Sequence, residues 1–251
     1  MRFSSLPKTS VLLVGAFLTA SLLLPLPYAV ISPGRGTNVM DSVIDIAGAP
    51  TFPSTGKLLI TTVMATSPSS PIFGLDVVYS WAKGESIVMP RSVLYPPEQS
   101  AKQITAAATK DMKDSQSYAA DAAFSFLGFA KDQTTVTATI SVKDTGGPSG
   151  GLIFALGIIE KLTSEDLLAG RVIAGTGTID PSGKVGPIGG IDEKLIAAKR
   201  SGATIFLAPS DNCEDVHHIP AGLSVYSVST LKEAVKVLQN VKNSIPHCTW
   251  Q

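Results

Sequence analysis

The chain has few of the residues that most often carry metal or redox chemistry. Its 251 residues include three histidines and two cysteines. His217 and His218 are adjacent, so they lack the intervening glutamate and the i, i+4 spacing of a zinc-binding helix. Cys213 and Cys248 lie too far apart in the sequence to indicate a zinc site. We therefore expect no metal and no cofactor.

Charge is also scarce. Asp, Glu, Lys and Arg make up 16% of the chain, against about 25% in soluble domains, and 20 acidic residues balance 20 basic ones. No basic cluster indicates a nucleic-acid partner. Gly183-Lys184 resembles the end of a P-loop, but Thr178 and Val185 replace the first glycine and the final Ser/Thr of that motif. We expect neither a nucleic acid nor a nucleotide as partner.

The longest stretch without charge lies near the N-terminus. No Asp, Glu, Lys or Arg occurs from Thr9 to Gly34, and about 20 apolar residues in a helix cross a bilayer. The stretch predicts a transmembrane anchor over 9–32, with Arg2 and Lys8 on the cytoplasmic side. A cleaved signal peptide with an apolar core at 11–24 is the alternative. Either interpretation places the rest of the chain outside the cytoplasmic membrane.

An exported chain can form disulfides. Cys213 and Cys248 are the only cysteines, and in an oxidising compartment they can pair. Two unpaired, buried thiols are the alternative, and the sequence leaves this choice open.

The rest of the chain alternates between helical and strand patterns. This order indicates a mixed α/β (α+β) fold in which helices pack on a sheet. Periodicity and turn residues predict helices over 98–113, 115–127, 152–159 and 191–201, a half-buried strand over 134–142 and a hairpin around 181–183. We divide the chain into a cytoplasmic N-terminus 1–8, an anchor 9–32, the first part of the exported domain 33–130, a catalytic domain 131–240 and a tail 241–251.

Ser149 is the best candidate for a nucleophile. It follows a strand and precedes an apolar helix, with glycines on both sides, among them Gly147 and Gly150. Glycines let the backbone approach a substrate closely, and the N–H groups of a helix start suit an oxyanion. An ordinary helix N-cap is the alternative role of Ser149. No Gly-x-Ser-x-Gly elbow occurs, and no histidine lies in a context typical of a triad.

Lys194 is the best candidate for a base. In a helix from about 191, Lys194 shares a face with Ile191, Leu195 and Ala198. Desolvation on an apolar face favours the neutral amine, which can take a proton from a serine. A lysine that extends to water or pairs with a buried carboxylate is the alternative.

Three segments together resemble the proteolytic domain of Lon peptidases. They are Gly147-Pro148-Ser149-Gly150-Gly151, Gly175-Thr176-Gly177-Thr178-Ile179 and the run 183–194 from Gly-Lys-Val-Gly to Asp-Glu-Lys. The resemblance is strong over 144–238, and it is closest to the stand-alone, membrane-anchored bacterial relatives. It implies Ser149 as nucleophile, Lys194 as base and Thr176 as a residue that positions the lysine. A space-filling strand residue is the alternative role of Thr176.

The chain departs from the family pattern in two places. Lon motifs usually have alanine after the serine, where this chain has Gly150. The anchored relatives commonly carry a PDZ-like domain before the nucleophile, but only fifteen residues separate Gly128 from Asp144, against about 50 for a domain. We therefore expect no PDZ-like domain and no ATPase.

These observations predict an ATP-independent, membrane-anchored serine endopeptidase with a Ser149–Lys194 dyad. Its expected partners are exported or unfolded polypeptides as substrates, the lipid bilayer and, as the Lon resemblance suggests, further copies of the chain. A membrane-tethered scaffold that cleaves nothing is the first alternative. A small-ester hydrolase with the same dyad is the second.

Overall fold

The computed structural model describes residues 7–129, 135–142, 145–239 and 246–248. Contacts divide the chain into two compact units, each described separately below. The first contains residues 1–32 and 65–101, and the second contains residues 33–64 and 102–251. The predicted boundary at 130/131 and most of the predicted tail 241–251 lie outside the described residues. The five-part division of the chain therefore stays a prediction.

Helices and strands alternate along the described residues. The helices are α1 (Lys8–Leu23), α2 (Gly74–Lys83), α3 (Arg91–Leu94), α4 (Ala101–Phe126), α5 (Gly151–Leu162), α6 (Ile191–Arg200) and α7 (Leu231–Leu238), with a 3-10 helix at Ser210–Asp215. The strands are β1 (Pro25–Leu26), β2 (Tyr28–Asn38), β3 (Ile44–Ala47), β4 (Lys57–Ala65), β5 (Ile72–Phe73), β6 (Ile87–Pro90), β7 (Thr137–Ile140), β8 (Val172–Gly175), β9 (Thr178–Ile179), β10 (Val185–Gly186), β11 (Ile205–Pro209) and β12 (Ser224–Val228).

The first unit is built around α1 and α2. The two helices pack so closely that a side chain at Gly74 would overlap the Ser21 carbonyl. β1 pairs with β5, and the start of β2 pairs antiparallel with β6, from Tyr28 opposite Pro90. No residue of α1 is buried, although most of them are apolar.

The prediction of one helix over 9–32 is wrong. α1 ends at Leu23, and the chain from Tyr28 onward is a strand. Pro25 and Pro27 explain the difference, because proline lacks the N–H that a helix needs and clashes with the preceding turn. In the part of the chain that the structure describes, no helix has the length and apolar character needed to cross a bilayer.

The second unit contains a sheet with strand order β12-β11-β8-β4-β2. β4 and β8, β8 and β11, and β11 and β12 pair in parallel. A smaller antiparallel pair, β3 with β7, lies against α5. β9 and β10 form the hairpin predicted around residues 181–183. The second unit is therefore a mixed α/β domain, as predicted.

Side chains of the central strands alternate between two apolar cores. Leu58 and Ile60 of β4 enter the core formed with α4, α5 and α7, whereas Leu59 enters the core formed with α6. Period-2 alternation sends successive side chains to opposite faces of a sheet. The sheet is therefore covered on both faces, as parallel sheets usually are.

Two helical predictions have different outcomes. The apolar segment 152–159 is a buried helix as predicted, because α5 is buried from Gly151 to Glu160. The two helices predicted over 98–113 and 115–127 are one helix, α4. No proline or glycine interrupts that sequence, so the hydrogen-bond ladder continues through Asp114.

A disulfide joins Cys213 to Cys248. Its two cysteines lie in or beside the α6-side core. Of the two alternatives left open by the sequence, the pair of unbridged thiols is therefore wrong.

Candidate active site

Ser149 lies in the turn that leads into α5. The helix begins at Gly151 with Gly150 as N-cap, and no side chain caps it. The Ser149 hydroxyl therefore does not have the ordinary capping role that the sequence left open. Gly177 N–H donates to the Ser149 carbonyl at 2.8 Å, and Leu152 N–H donates to the Gly177 carbonyl at 3.1 Å. These two bonds fix the turn to the residues that follow β8.

Lys194 lies on the opposite face of the sheet, in α6. Its side chain is buried, and its Nζ donates a hydrogen bond to Thr176 Oγ1 at 2.9 Å. This contact excludes the alternative in which the lysine extends to water. Burial lowers the pKa of Lys194 to about 7, because the amine loses hydration that favours its charged form.

Thr176 connects the two sides of the sheet. It directly follows β8, and its Oγ1 donates to the Ser149 carbonyl at 3.0 Å while accepting from Lys194. A neutral amine has two N–H groups and one lone pair, and Thr176 takes one N–H. The lone pair of Lys194 is therefore left to accept a proton. Thr176 is fully buried, and its side chain makes two hydrogen bonds in addition to filling space.

Ser149 and Lys194 both line one cleft of the second unit. The cleft has a volume of about 1500 Å³, larger than the roughly 300–1000 Å³ of small-molecule pockets. Its described walls include apolar side chains from β4, α4 and the loop before α6, among them Ile60, Met112 and Ile188. A cleft of this size and character has room for an extended polypeptide.

The two supporting glycines have separate structural reasons. Gly147 has a φ of +86°, a conformation that side-chain-bearing residues rarely adopt. A Cβ at Gly150 would overlap Ile60 Cδ1 and lie 2.8 Å from Phe154 Cε2. Ile60 and Phe154 thus occupy the space that the usual alanine of the Lon motif would need.

The turn carries backbone N–H groups beside the cleft, since Ser149 and Gly150 both line it. Gly147 N–H is not one of them, because it donates to the Ala108 carbonyl at 2.8 Å. Among the described residues, the N–H groups of Ser149 and Gly150 have no hydrogen-bond acceptor. They belong to the residues next to a helix start, where partial positive charge accumulates.

Sequence reasoning missed the contacts of α4 with this turn. Ser115, buried in α4, donates through Oγ to the Pro148 carbonyl at 2.9 Å. Together with the Ala108 carbonyl, it holds both residues before Ser149. No local pattern could reveal these contacts, since the bonding groups on the turn belong to its backbone.

The histidines are not among the residues that line the cleft. His217 Nδ1 lies 3.1 Å from an Asp192 carboxylate oxygen, and the ring of His247 stacks on Tyr226. The described residues contain no group of three or more His, Cys, Asp or Glu side chains suited to a metal. The expectation of no metal and no cofactor stays a prediction.

The second unit is thus a mixed α/β domain whose sheet is covered on both faces. A buried lysine and a serine flanked by glycines both line its cleft. Residues 102–241, more than half of the chain, match the Lon protease (S16) C-terminal proteolytic domain. The chain belongs to this family.

Three relatives illustrate the extent of the similarity. A Lon protease of Porphyromonas gingivalis is 40% identical over 94 residues, which are 36% of this chain and 11% of that protein. Lon protease 1 of Bacillus subtilis is 37% identical over 94 residues, 36% of this chain and 12% of its own length. A Lon protease of Protochlamydia amoebophila is 26% identical over 192 residues, 70% of this chain and 22% of that protein.

The chain thus covers about a tenth to a fifth of the length of these relatives. The catalytic roles of Ser149, Lys194, Thr176, Gly147 and Gly150 stay predictions.

Proposed function

We propose that the protein is a serine-type endopeptidase that cleaves flexible polypeptides without ATP, using Ser149 as nucleophile and Lys194 as general base. The observation that supports this most is the buried amine of Lys194, bonded to Thr176, which in turn holds the turn of Ser149. A lysine with a pKa of about 7 is substantially neutral near neutral pH, as a base must be.

The reaction proceeds through an acyl-enzyme. Ser149 Oγ attacks the peptide carbonyl carbon while its proton passes to Lys194 Nζ. The C–N bond then breaks, and the leaving amine takes that proton from Lys194. Water attacks the resulting ester with Lys194 again as base, which releases the acid product and restores Ser149.

The oxyanion of each intermediate is stabilised by backbone donors. We assign this role to the N–H groups of Ser149 and Gly150, which have no acceptor among the described residues. Preorganised donors of this kind contribute about 3–4 kcal/mol each to lowering the barrier. Gly147 serves a different purpose, because its N–H is used to bind the turn to α4.

A peptide cleavage assay tests the proposal. The chain is expected to cleave an unstructured protein, and Ser149→Ala or Lys194→Ala should each reduce kcat by at least about 10³-fold. Ser117→Ala and Lys199→Ala are matched controls on exposed sites of α4 and α6 and should retain activity. Wild-type turnover by both Ser149→Ala and Lys194→Ala would refute the dyad.

Labelling with a serine-reactive fluorophosphonate separates the enzyme from its alternatives. An activated Ser149 reacts with the probe in the wild type and not in the Lys194→Ala variant. Absence of labelling and of cleavage would favour the scaffold function. Turnover of small esters without cleavage of any peptide would favour the ester hydrolase.

We further propose that the protein is exported and held at the outer side of the cytoplasmic membrane, as a relative of Lon with no PDZ-like domain before the nucleophile turn. The disulfide supports an oxidising compartment. The exposed apolar side chains of α1, such as Leu12, Leu13 and Phe17, support attachment to lipid. Recovery of the full chain in the soluble fraction after cell breakage would contradict attachment.

A homo-oligomer is likewise a proposal based on the family. Analytical ultracentrifugation of the full chain in detergent tests it, and a single monomeric species at micromolar concentration would refute it.

A further inference from the structure

The backbone around Arg35 is tightly held. Arg35 N–H donates to Thr62 Oγ1 at 3.3 Å, and Thr62 Oγ1 donates to the Arg35 carbonyl at 3.2 Å. Gly36 N–H donates to Ser201 Oγ at 2.9 Å. A Cβ at Gly34 would lie only 2.5 Å from the Thr62 carbonyl oxygen, so this glycine permits a close approach of β2 to β4.

The side chain of Arg35 contrasts with this fixed backbone. It is exposed and belongs to the lining of the cleft that contains Ser149 and Lys194. The described residues give its guanidinium no hydrogen bond or ion pair. Arg35 and Lys194 are the only charged residues in the described lining, which contains no carboxylate.

The described part of the lining, with this charge distribution, favours negatively charged groups. A guanidinium presents several N–H donors in a plane that matches a carboxylate. Above pH 7 Lys194 is largely neutral, so Arg35 then supplies the positive charge. A rigid backbone reduces the entropy lost when a substrate binds.

We propose that Arg35 is a specificity-determining residue that binds a carboxylate of the polypeptide substrate, either an acidic side chain or the C-terminal carboxylate. This inference deepens the proposed endopeptidase function. Arg35 does not touch the reacting atoms in this role. It selects which segment of a flexible chain enters the cleft.

The test compares matched peptides at pH 8.5. One apolar peptide is made with a single Glu at successive positions, with Gln at the same positions, and with a free or amidated C-terminus. For the wild type, kcat/KM should be about two- to fivefold higher with Glu than with Gln at one position, or with a free than with an amidated C-terminus. This is the range of a partly exposed ion pair. The Glu series and the amidated series distinguish the two sources of the carboxylate.

Two variants test whether the carboxylate preference depends on Arg35. Arg35→Gln should abolish the preference, so that its kcat/KM is equal for the Glu and Gln peptides and for the free and amidated C-termini. Lys232→Gln, which removes a positive charge from an exposed site of α7 outside the cleft lining, should keep it. No carboxylate preference in the wild type, or an unchanged preference in Arg35→Gln, would overturn the inference.

Binding separates this inference from the proposed function. Fluorescence anisotropy with the Ser149→Ala protein measures the affinity of the same labelled peptides without cleavage. If binding prefers the carboxylate and requires Arg35 but the wild type cleaves no peptide, the proposed peptidase function is refuted and the proposed Arg35 site is retained. Cleavage without any such preference in rate or affinity would refute the Arg35 site alone.

Discussion

Lys194 Nζ donates a hydrogen bond to Thr176 Oγ1 at 2.9 Å, and the Thr176 hydroxyl in turn donates one to the Ser149 carbonyl at 3.0 Å. The bonds run in one direction, from the amine through the hydroxyl to the carbonyl. Lys194 belongs to α6, Ser149 lies in the turn before α5 on the opposite face of the sheet, and Thr176 follows the strand between them. Its hydroxyl is therefore the physical link between the two halves of the candidate dyad.

Loss of that link should reduce catalysis more than folding. Thr176→Val keeps the shape and removes the hydroxyl, so the amine and the Ser149 carbonyl each lose a bond. Since a lost buried hydrogen bond costs about 1–3 kcal/mol, kcat should fall about tenfold or more with KM little changed. Steady-state kinetics measure this split, and Thr176→Ser should restore most of the activity. Equal kcat for Thr176→Val and the wild type would contradict the role of Thr176.

The buried lysine should make stability depend on pH. Its pKa falls from an ordinary 10.5 to about 7 on folding, so between those values the unfolded chain binds more protons. Unfolding free energy therefore rises with pH through that window, and the full cost of burying the charge applies below pH 7. Lys194→Met should be more stable than the wild type at pH 6, with a difference that shrinks toward pH 10. Urea titrations across this range measure the difference, and a constant gap would contradict the burial argument.

Local sequence patterns contain part of this arrangement. The glycines around Ser149 and the apolar stripe around Lys194 mark both residues, because special backbone conformations and desolvation depend on nearby sequence. The position of Thr176 between Ser149 and Lys194 has no such local pattern, and only the family resemblance predicts that Thr176 positions the lysine. The apolar run predicts a helix throughout 9–32, whereas the structure ends α1 at Leu23, just before Pro25 and Pro27. Glu193 lies outside that apolar stripe and is nevertheless buried, because the tertiary fold covers its face of α6.

Ser115 should position the nucleophile turn. Ser115→Ala leaves the Pro148 carbonyl with only the longer bond from Gly151 N–H, at 3.4 Å, and should lower the free energy of unfolding by about 1–3 kcal/mol. The loosened turn should also lower kcat under conditions where the variant remains folded. Ser117→Ala, at an exposed site two residues along α4, is the control for the helix itself. Denaturant titration and kinetics on both variants test this role, and a Ser115→Ala protein with wild-type kcat would exclude it.

Substitutions at Gly150 and Ile60 should have non-additive effects on the free energy of unfolding. Gly150→Ala places a Cβ against Ile60 Cδ1 and the Phe154 ring, and such overpacking costs about 1–3 kcal/mol. Ile60→Val removes the overlapping Cδ1, so the double variant should be more stable than the sum of the two single changes predicts.

Gly157→Ala provides the matched control for this cycle. Gly157 lies within α5 and outside the cleft lining, and a Cβ there would lie 2.5 Å from Ile44 Cδ1. It should lower stability without coupling to Ile60. Strict additivity of Gly150→Ala and Ile60→Val would show that Ile60 does not replace the alanine methyl of the Lon motif.

The state of the Lys194 amine is the central claim, and NMR titration of the folded protein with isotopically labelled lysine measures it most directly. Comparison with Lys194→Arg assigns the resonance. We expect Lys194 to titrate with a pKa near 7, alongside an increase of kcat/KM over the same pH range. A Lys194 resonance that titrates near 10, as in an exposed lysine, would contradict the proposed base.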